Sequence, residues 1–264
     1  MLWEQGKKKK TMMQTAFFVY GVTGYLLFLA VYAWLAAFVG NLLVKNSVDS
    51  PVASSIGLSL AIDLGLIVLF GLQHSIMARP AFKKIWTRIV PQPIERSTYM
   101  FASSAATTLL IWQWRAVDLV VWEVQHPVGR GLLYGLFAAG VIMVPAVSLM
   151  IHHFDLFGMR QVWLYLHGRE YSSLPFRTPM FYSHVRHPLY IGWTIFFWAT
   201  PMMTIGHLLL AAGMTAYMLV AVVFEERDLI AHFGRQYEEY RNRVPMFVPR
   251  LRTDLPVPES EPGS

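Results

Sequence analysis

The chain has 264 residues, of which 55% are hydrophobic and only 14% are charged, with a formal charge of +6. This composition is far more apolar than that of an average soluble domain and indicates an integral membrane protein. No cysteine is present, which excludes disulfides, thiolate metal sites and a cysteine nucleophile. Sequence motifs of soluble nucleotide-binding folds, zinc proteases and serine hydrolases are also absent.

Apolar segments of a length that can cross a bilayer, about 20 residues, recur along the chain. They run roughly over residues 13–39, 54–77, 97–114, 128–151 and 207–224, and a sixth, shorter segment covers 188–203. The predicted fold is therefore an all-α bundle of about six transmembrane helices, in a single domain over residues 1–253. The Pro- and Glu-rich residues 254–264 are predicted to be disordered.

Basic residues are distributed unevenly between the two ends of the predicted bundle. Of the 22 Lys and Arg, only Lys45, Arg115 and Arg130 fall in the three connections at one end, and the other 19 lie at the opposite end. Short cytoplasmic loops are enriched in Lys and Arg, so both termini are predicted to be cytoplasmic. Anionic membrane lipids are the expected partners of this charge. No nucleic-acid partner is expected, and no obligatory protein partner is evident.

Three segments on the basic side are amphipathic. Residues 79–96 form a connection bounded by proline, and residues 152–166 mix aromatic and polar side chains, as a helix in the membrane interface does. After the last span, apolar residues recur at helical spacing until Pro245. This pattern predicts a cytoplasmic amphipathic C-terminal helix that folds back on the bundle.

The last two apolar segments are predicted to form an antiparallel helical hairpin, because only a short turn at residues 204–206 joins them. The beginning of one helix and the end of the other then lie together, which brings residues 186–190 close to Glu225 and Glu226. Carboxylates oppose the dipole at a helix C-terminus. The two Glu therefore either form structural salt bridges or bind a ligand.

Facing basic and acidic groups suit a zwitterionic ligand such as S-adenosylmethionine. Arg or His would bind its carboxylate, Glu its ammonium or ribose hydroxyls, and aromatic rings its adenine and sulfonium. A cofactor pocket at the membrane edge is therefore a hypothesis from the residues alone. The alternative is that Arg and His anchor the helix ends at the interface.

Several other polar residues have two interpretations each. Asp63, near the middle of a span, is either a buried hydrogen-bonding group or a catalytic one. His74, closer to the basic end of the same span, either packs in the bundle or belongs to the site. His152 and His153 with Asp155 lack the spacing of metal ligands, so no metal is expected.

Arg160 and Gln161 either line a polar substrate pocket or face water. His207 is predicted to lie at the end of the bundle away from the basic residues, and it is not expected to take part in the site.

Several segments resemble a known family of membrane methyltransferases. Arg186-His-Pro-Leu-Tyr-Ile-Gly-Trp193, followed by Glu225-Glu-Arg-Asp-Leu, is similar to the cofactor-binding elements typified by isoprenylcysteine carboxyl methyltransferase. Four further segments resemble the bacterial methanethiol S-methyltransferases of the nurim family: residues 71–80, 94–99, 153–164 and 174–179. This resemblance implies a location in a bacterial inner membrane.

The resemblance implies methyl transfer from S-adenosylmethionine to methanethiol, a small volatile thiol, to give dimethyl sulfide and S-adenosylhomocysteine. It assigns seven residues to the cofactor site, namely Arg186, His187, Pro188, Tyr190, Gly192, Glu225 and Glu226. None of the matched motifs identifies a general base. His74, His153 and Tyr190 are the candidates for relaying the thiol proton.

Three alternatives remain open at this point. In the first, the protein is a methyltransferase whose acceptor is another thiol, a prenylated cysteine or a phospholipid amine. In the second, it is a sterol-type reductase with a nicotinamide cofactor, although the pair Glu225 and Glu226 argues against this. The third alternative is a structural membrane protein without catalysis, as nurim itself suggests.

Overall fold

A computed structural model describes residues 2–50 and 55–249. The predicted disordered tail at 254–264 lies outside these residues. The described helices are α1 (Leu2–Val39), α2 (Ile56–Ala78), α3 (Pro80–Trp86), α4 (Glu95–Gln113), α5 (Pro127–Met150), α6 (His153–Leu156), α7 (Met159–Leu166), α8 (Pro188–Trp198), α9 (Ile205–Phe233) and α10 (Arg235–Arg243). Two short strands, β1 (Val120–Glu123) and β2 (Met202–Thr204), and 3-10 turns at Gln92–Ile94 and Met180–Ser183 complete these elements.

Four helices are long and apolar enough to cross a membrane: residues Lys8–Val39 of α1, and the whole of α2, α5 and α9. Apolar side chains such as Leu58, Leu132 and Leu219 are exposed on their outer faces, as expected for contact with lipid. The predicted helical membrane bundle is therefore confirmed. We call the end where α2 and α9 terminate and α8 starts the basic end.

Two of the six predicted spans, α4 and α8, do not meet the same criteria of length and composition. Helix α4 carries many Ser and Thr residues, and α8 has only 11 residues. At 1.5 Å per residue, α8 extends about 16 Å, roughly half of the hydrocarbon core. The number of six spans thus stays a prediction.

Helices α8 and α9 are antiparallel neighbours, as predicted, but a strand rather than a simple turn connects them. The predicted segment 188–203 is helical only as far as Trp198. Pro201 follows, and proline cannot continue a helix. The chain then enters β2, which pairs antiparallel with β1 so that Thr204 lies opposite Val120. The ribbon satisfies backbone groups of both connections.

A buried polar cluster holds the end of the bundle opposite the basic end. His207 Nδ1 lies 3.2 Å from Asp49 Oδ2, and Asn41 Nδ2 donates a 2.6 Å hydrogen bond to the same oxygen. The Thr204 hydroxyl donates to the other carboxylate oxygen of Asp49. His207 is fully buried, and its role here is to join the start of α9 to the α1–α2 connection.

Residues with positive φ interrupt the amphipathic segments at the basic end. His152 (φ 75°) and Gly158 (φ 84°) divide the predicted interface helix at 152–166 into α6 and α7. The residues of the predicted C-terminal amphipathic helix are divided between the last turns of α9, which continues to Phe233, and α10, which begins after Gly234 (φ 57°). Glycine adopts positive φ without steric cost, so a break at Gly158 or Gly234 is favourable.

Helices α5 and α8 approach each other closely at two glycines. A Cβ on Gly140 would lie 2.7 Å from the backbone nitrogen of Phe196, and a Cβ on Gly192 would lie 3.2 Å from Met143 Cγ. Small residues allow helix backbones to pack in membranes. Phe196 is fully buried at this contact.

Candidate active site

A cavity of about 1650 Å³ opens at the basic end and extends into the bundle. Residues of every described helix, α1 to α10, and of the segment 168–178 contribute to its wall. Exposed residues such as Lys84 and Arg169 line its mouth, whereas the buried Leu110 and Leu210 line its inner part. The cavity therefore joins a polar surface to an apolar interior.

Glu226 connects the start of α8 to α9 at the mouth of the cavity. Because α9 continues for seven residues beyond Glu226, to Phe233, the prediction that Glu225 and Glu226 lie at a helix C-terminus is wrong. Arg186 Nε donates a 2.7 Å hydrogen bond to Glu226 Oε1, and His187 Nε2 lies 3.0 Å from the same oxygen. Arg186 Nη1 also donates to the backbone carbonyls of Arg241 and Val244. The side chains of Arg186 and Glu226 are each only 10% exposed, so this pair is largely withdrawn from water.

The backbone at the start of α8 is bonded to the chain that follows α10. Arg186 N donates to Pro245 O at 2.9 Å, and His187 N donates to Met246 O at 3.2 Å. Pro188 occupies the first turn of the helix, where its missing N–H costs nothing. These contacts hold the segment 186–190 at the cavity in one conformation.

Glu225 differs from its neighbour Glu226 in being accessible from the cavity. Tyr190 Oη donates a 2.7 Å hydrogen bond to Glu225 Oε2, and His187 Nδ1 lies 4.0 Å from that oxygen. The Glu225 side chain is 43% exposed and lines the cavity, as Tyr190 does. Of the two adjacent carboxylates, Glu225 is the one that a ligand can reach.

An aromatic cluster covers one side of the cavity mouth. The Phe176 ring lies 5.1 Å from the Phe233 ring and 5.3 Å from the Tyr240 ring. Tyr240 Oη donates a 2.6 Å hydrogen bond to the carbonyl of Tyr182. Burial raises the pKa of the Tyr182 and Tyr240 hydroxyls, so both remain neutral.

Asp155 is the centre of a hydrogen-bond network that includes both predicted pocket residues. Arg160 Nη1 donates to Asp155 Oδ1 at 3.0 Å, and Gln161 Nε2 donates to the Asp155 carbonyl at 3.1 Å. Arg96 of α4 donates to Asp155 Oδ2 at 2.8 Å. Gln161 and Asp155 line the cavity, whereas Arg160 lies outside its wall and stacks over Tyr171 at 5.2 Å.

The two candidate catalytic histidines occupy different environments. His74 lines the cavity, and its Nδ1 lies 3.3 Å from Ser103 Oγ. His153 is buried outside the cavity wall, with one ring nitrogen 2.7 Å from Tyr25 Oη and the other 2.7 Å from Ser148 Oγ. Burial lowers the pKa of His153. The structure therefore brings His74, but not His153, to the cavity.

Asp63 lies outside the cavity and is fully buried. Its Oδ1 accepts a 2.8 Å hydrogen bond from Arg115 N, just after the end of α4. This contact agrees with a structural hydrogen-bonding group. Across residues 2–50 and 55–249, no three His, Asp or Glu side chains are grouped in a way that could hold a metal ion.

Comparison with known proteins identifies the family. The chain is 45% identical over 249 residues to the methanethiol S-methyltransferase of Crocosphaera subtropica. The aligned region covers 94% of this chain and 98% of the relative. It is 48% identical over 231 residues to the methanethiol S-methyltransferase of Mycobacterium tuberculosis, with 88% of this chain and 95% of that protein covered. The chain belongs to the methanethiol S-methyltransferase family.

The resemblance read from the motifs, and the methyltransferase class that it implied, are thereby confirmed. Nurim of Danio rerio is a more distant relative of this methanethiol S-methyltransferase family member, 28% identical over 219 residues that cover 78% of this chain and 77% of nurim. No family model matches the chain, and no solved structure matches it.

The structure of this methanethiol S-methyltransferase family member brings five of the predicted cofactor residues into direct contact, namely Arg186, His187, Tyr190, Glu225 and Glu226. Pro188 and Gly192 act through the backbone and packing of α8. Sequence reasoning weighed Asp155 only as a metal ligand and missed its role as the partner of three cationic or amide side chains. Its position between His153 and Arg160 in a matched segment was the available signal.

Proposed function

We propose that this chain transfers a methyl group from S-adenosylmethionine to methanethiol, producing dimethyl sulfide and S-adenosylhomocysteine. The reaction takes place in the cavity between the membrane helices. The basic end faces the cytoplasm, where a water-soluble cofactor is accessible, and both termini lie on that side. The relatives from Crocosphaera subtropica and Mycobacterium tuberculosis are methanethiol S-methyltransferases, which supports the reaction, and the distribution of Lys and Arg supports the orientation.

The residues at the cavity mouth suit this cofactor. Glu225 offers a carboxylate for an ammonium or for ribose hydroxyls. Tyr190, Trp193 and Tyr217 line the adjacent wall, and the faces of aromatic rings attract cations such as a sulfonium. When bound, the cofactor supplies an electrophilic methyl group.

Arg186, His187 and Glu226 hold the site together. The guanidinium of Arg186 already donates to Glu226 and to two backbone carbonyls. We therefore assign to Arg186 the positioning of α8 against α9, and leave direct contact with the cofactor to Glu225 and Tyr190. Gly192 contributes by letting α8 pack against α5.

The acceptor must react as a thiolate, because the neutral thiol is a weak nucleophile and ordinary thiols titrate at about 8.5. His74 lines the cavity and is the group that accepts the thiol proton, with Tyr190 nearer the mouth as a relay. The thiolate sulfur forms a bond to the methyl carbon while the bond from that carbon to the leaving sulfur breaks and its electron pair stays on that sulfur. Most of the rate enhancement comes from holding the three atoms on one line.

One observation carries the proposal: a cavity-facing carboxylate, Glu225, is oriented by Tyr190 in a chain of this family. Membranes that contain the protein should produce dimethyl sulfide, measured by headspace gas chromatography, only when both S-adenosylmethionine and methanethiol are supplied. Glu225→Gln should lower this activity by about 10- to 100-fold, because a charged hydrogen-bond partner is lost. Glu238→Gln, which removes an exposed carboxylate on α10, is the matched control.

Two results would contradict this proposal. One is the absence of dimethyl sulfide together with the absence of S-adenosylhomocysteine binding to the purified protein, which a structural protein without catalysis predicts. The other is equal activity of Glu225→Gln and Glu238→Gln. Binding of NADPH in place of S-adenosylhomocysteine would instead indicate a reductase.

A further inference from the structure

The cavity continues far beyond the residues that we assign to the cofactor. On α9 its lining residues extend from Glu225 inward to Leu210, and on α4 they extend from Tyr99 to Leu110. At 1.5 Å per residue these distances are about 22 Å and about 16 Å. The cavity thus reaches deep into the apolar part of the bundle.

The inner part of the cavity, which we call the inner chamber, is mainly apolar. Its wall includes Leu35, Leu110, Trp193, Phe197, Leu210 and Met214. Among the described residues, no Asp, Glu, Lys or Arg lines the cavity deeper than Glu225 on α9 or Tyr99 on α4. The hydroxyl of Thr107, which lines the same chamber, donates to the backbone carbonyl of Ser103 at 2.9 Å. The inner chamber therefore suits a hydrocarbon.

The cavity is also larger than the cofactor and methanethiol require. Pockets for drug-sized ligands, the class to which the cofactor belongs, have volumes of about 300–1000 Å³. Methanethiol has two heavy atoms and would fill on the order of 60 Å³, about two water volumes. Against the 1650 Å³ observed, roughly 600 Å³ remains even at the upper limit of that range.

We propose that the inner chamber binds the carbon chain of longer 1-alkanethiols, and that the protein methylates these thiols as well as methanethiol. This inference rests on the proposed function and extends its substrate class. The chemistry is unchanged: His74 accepts the thiol proton, the alkanethiolate sulfur bonds to the methyl carbon, and the sulfonium carbon–sulfur bond breaks with its electrons to the leaving sulfur. The products are an alkyl methyl sulfide and S-adenosylhomocysteine.

Burial of the alkyl chain gives a quantitative expectation. Each methylene transferred from water to an apolar site should raise kcat/KM by up to about fourfold. The gain should continue with chain length until the inner chamber is full. A site shaped only for methanethiol would instead reject ethanethiol and every longer thiol.

The test uses the purified full chain in detergent with S-adenosylmethionine and 1-alkanethiols of one, two, four, six and eight carbons. Alkyl methyl sulfides are quantified by headspace gas chromatography with mass detection. Thr107→Leu should reduce the inner chamber and lower the ratio of hexanethiol to methanethiol turnover at least tenfold. Ala105→Leu adds a side chain of the same type on the exposed face of α4 and should leave that ratio unchanged.

Comparison of variants for each thiol cancels its partition into detergent. If Thr107→Leu does not fold, as judged by binding of S-adenosylhomocysteine, Met214→Trp fills the same chamber from α9. Turnover confined to methanethiol, or equal chain-length profiles for Thr107→Leu and Ala105→Leu, would overturn the inference and leave the proposed function intact. Failure to methylate any thiol, including methanethiol, would overturn the proposed function itself.

Discussion

Tyr190 Oη and Glu225 Oε2 lie 2.7 Å apart, joining the first turn of α8 to α9 across the helical hairpin. Both residues line the cavity. The hydroxyl donates to the carboxylate, so it fixes the direction of the second carboxylate oxygen. The two residues are far apart in sequence, and they meet because α8 and α9 are antiparallel.

Removing this hydrogen bond should weaken cofactor binding. In Tyr190→Phe we expect the Kd for S-adenosylhomocysteine to rise about tenfold or more, because hydrogen bonds to charged groups contribute about 1.5–3 kcal/mol. Isothermal titration calorimetry of the purified protein measures this change. Tyr134→Phe, on α5 outside the cavity wall, is the control. An unchanged Kd in Tyr190→Phe would show that Glu225 needs no such orientation.

The Arg186–Glu226 pair should be important for stability, because both side chains are 10% exposed. Glu226→Gln leaves the Arg186 guanidinium buried without its charged partner and should destabilise the fold by about 3–5 kcal/mol. Thermal unfolding in detergent provides the comparison. Glu239→Gln breaks an exposed pair with Arg235 on α10 and should change the unfolding temperature little. Similar losses in the two variants would contradict the assignment.

His74→Ala should lower turnover of methanethiol by about 100-fold at neutral pH, as is typical when a general base is lost. The Kd for S-adenosylhomocysteine should stay within about twofold of the wild-type value, since general-base function concerns the acceptor. The difference in methanethiol turnover between His74→Ala and the wild type should shrink between about pH 7 and pH 10, because more of the thiol is then ionised in solution without a base. His126→Ala, at the start of α5, controls for loss of an exposed imidazole. A deficit that is independent of pH would assign His74 to packing.

Substitution of two glycines of α5 by alanine should have opposite effects on the stability of the protein. The Cβ in Gly140→Ala would lie 2.7 Å from the Phe196 backbone nitrogen, and such overpacking costs about 1–3 kcal/mol. A Cβ on Gly135 meets no atom within 4 Å, so Gly135→Ala should stabilise the helix by up to about 1 kcal/mol. Thermal unfolding of both variants tests this order. The reverse order would mean that α5 and α8 are not in close contact.

Acid should weaken the cluster at the end opposite the site. Burial alone would raise the pKa of Asp49, but hydrogen bonds from His207, Thr204 and Asn41 hold it below its ordinary value. Its contribution to stability is therefore present above the unfolded pKa of about 3.9 and is lost as pH falls through the lower folded pKa. The difference in unfolding temperature between wild type and Asp49→Asn should be constant near neutral pH and shrink below about pH 4. A difference that grows on acidification would contradict this assignment.

The membrane-spanning helices and the helical hairpin are the features that local sequence patterns predicted correctly. Long apolar runs predicted α1, α2, α5 and α9, because a helix that crosses lipid must be apolar over most of its length. The hairpin geometry followed from the order of the last two segments. It correctly brought residues 186–190 to Glu225 and Glu226.

Other features depend on neighbours that are distant in sequence. The end of α8 at Trp198 is stabilised by pairing of β2 with β1, which lies some 80 residues earlier in the chain. The apolar run at 188–203 contains no sign of that partner. Similarly, the break at Gly158 lies against α4, where a Cβ on this residue would be 2.9 Å from Ser97 N, and the sequence of one segment does not show such a contact.

By itself the sequence determined the membrane class, the unequal charge of the two ends, the family motifs and the meeting of the two helix termini, since each depends on composition or on order along one stretch of chain. The tertiary structure alone decided which polar groups face the cavity. Glu225 is open whereas Glu226 is engaged, and His74 lines the wall whereas both nitrogens of His153 are bonded to neighbours. The physical reason is that burial and hydrogen bonding of a side chain depend on the side chains packed around it, and these come from other helices.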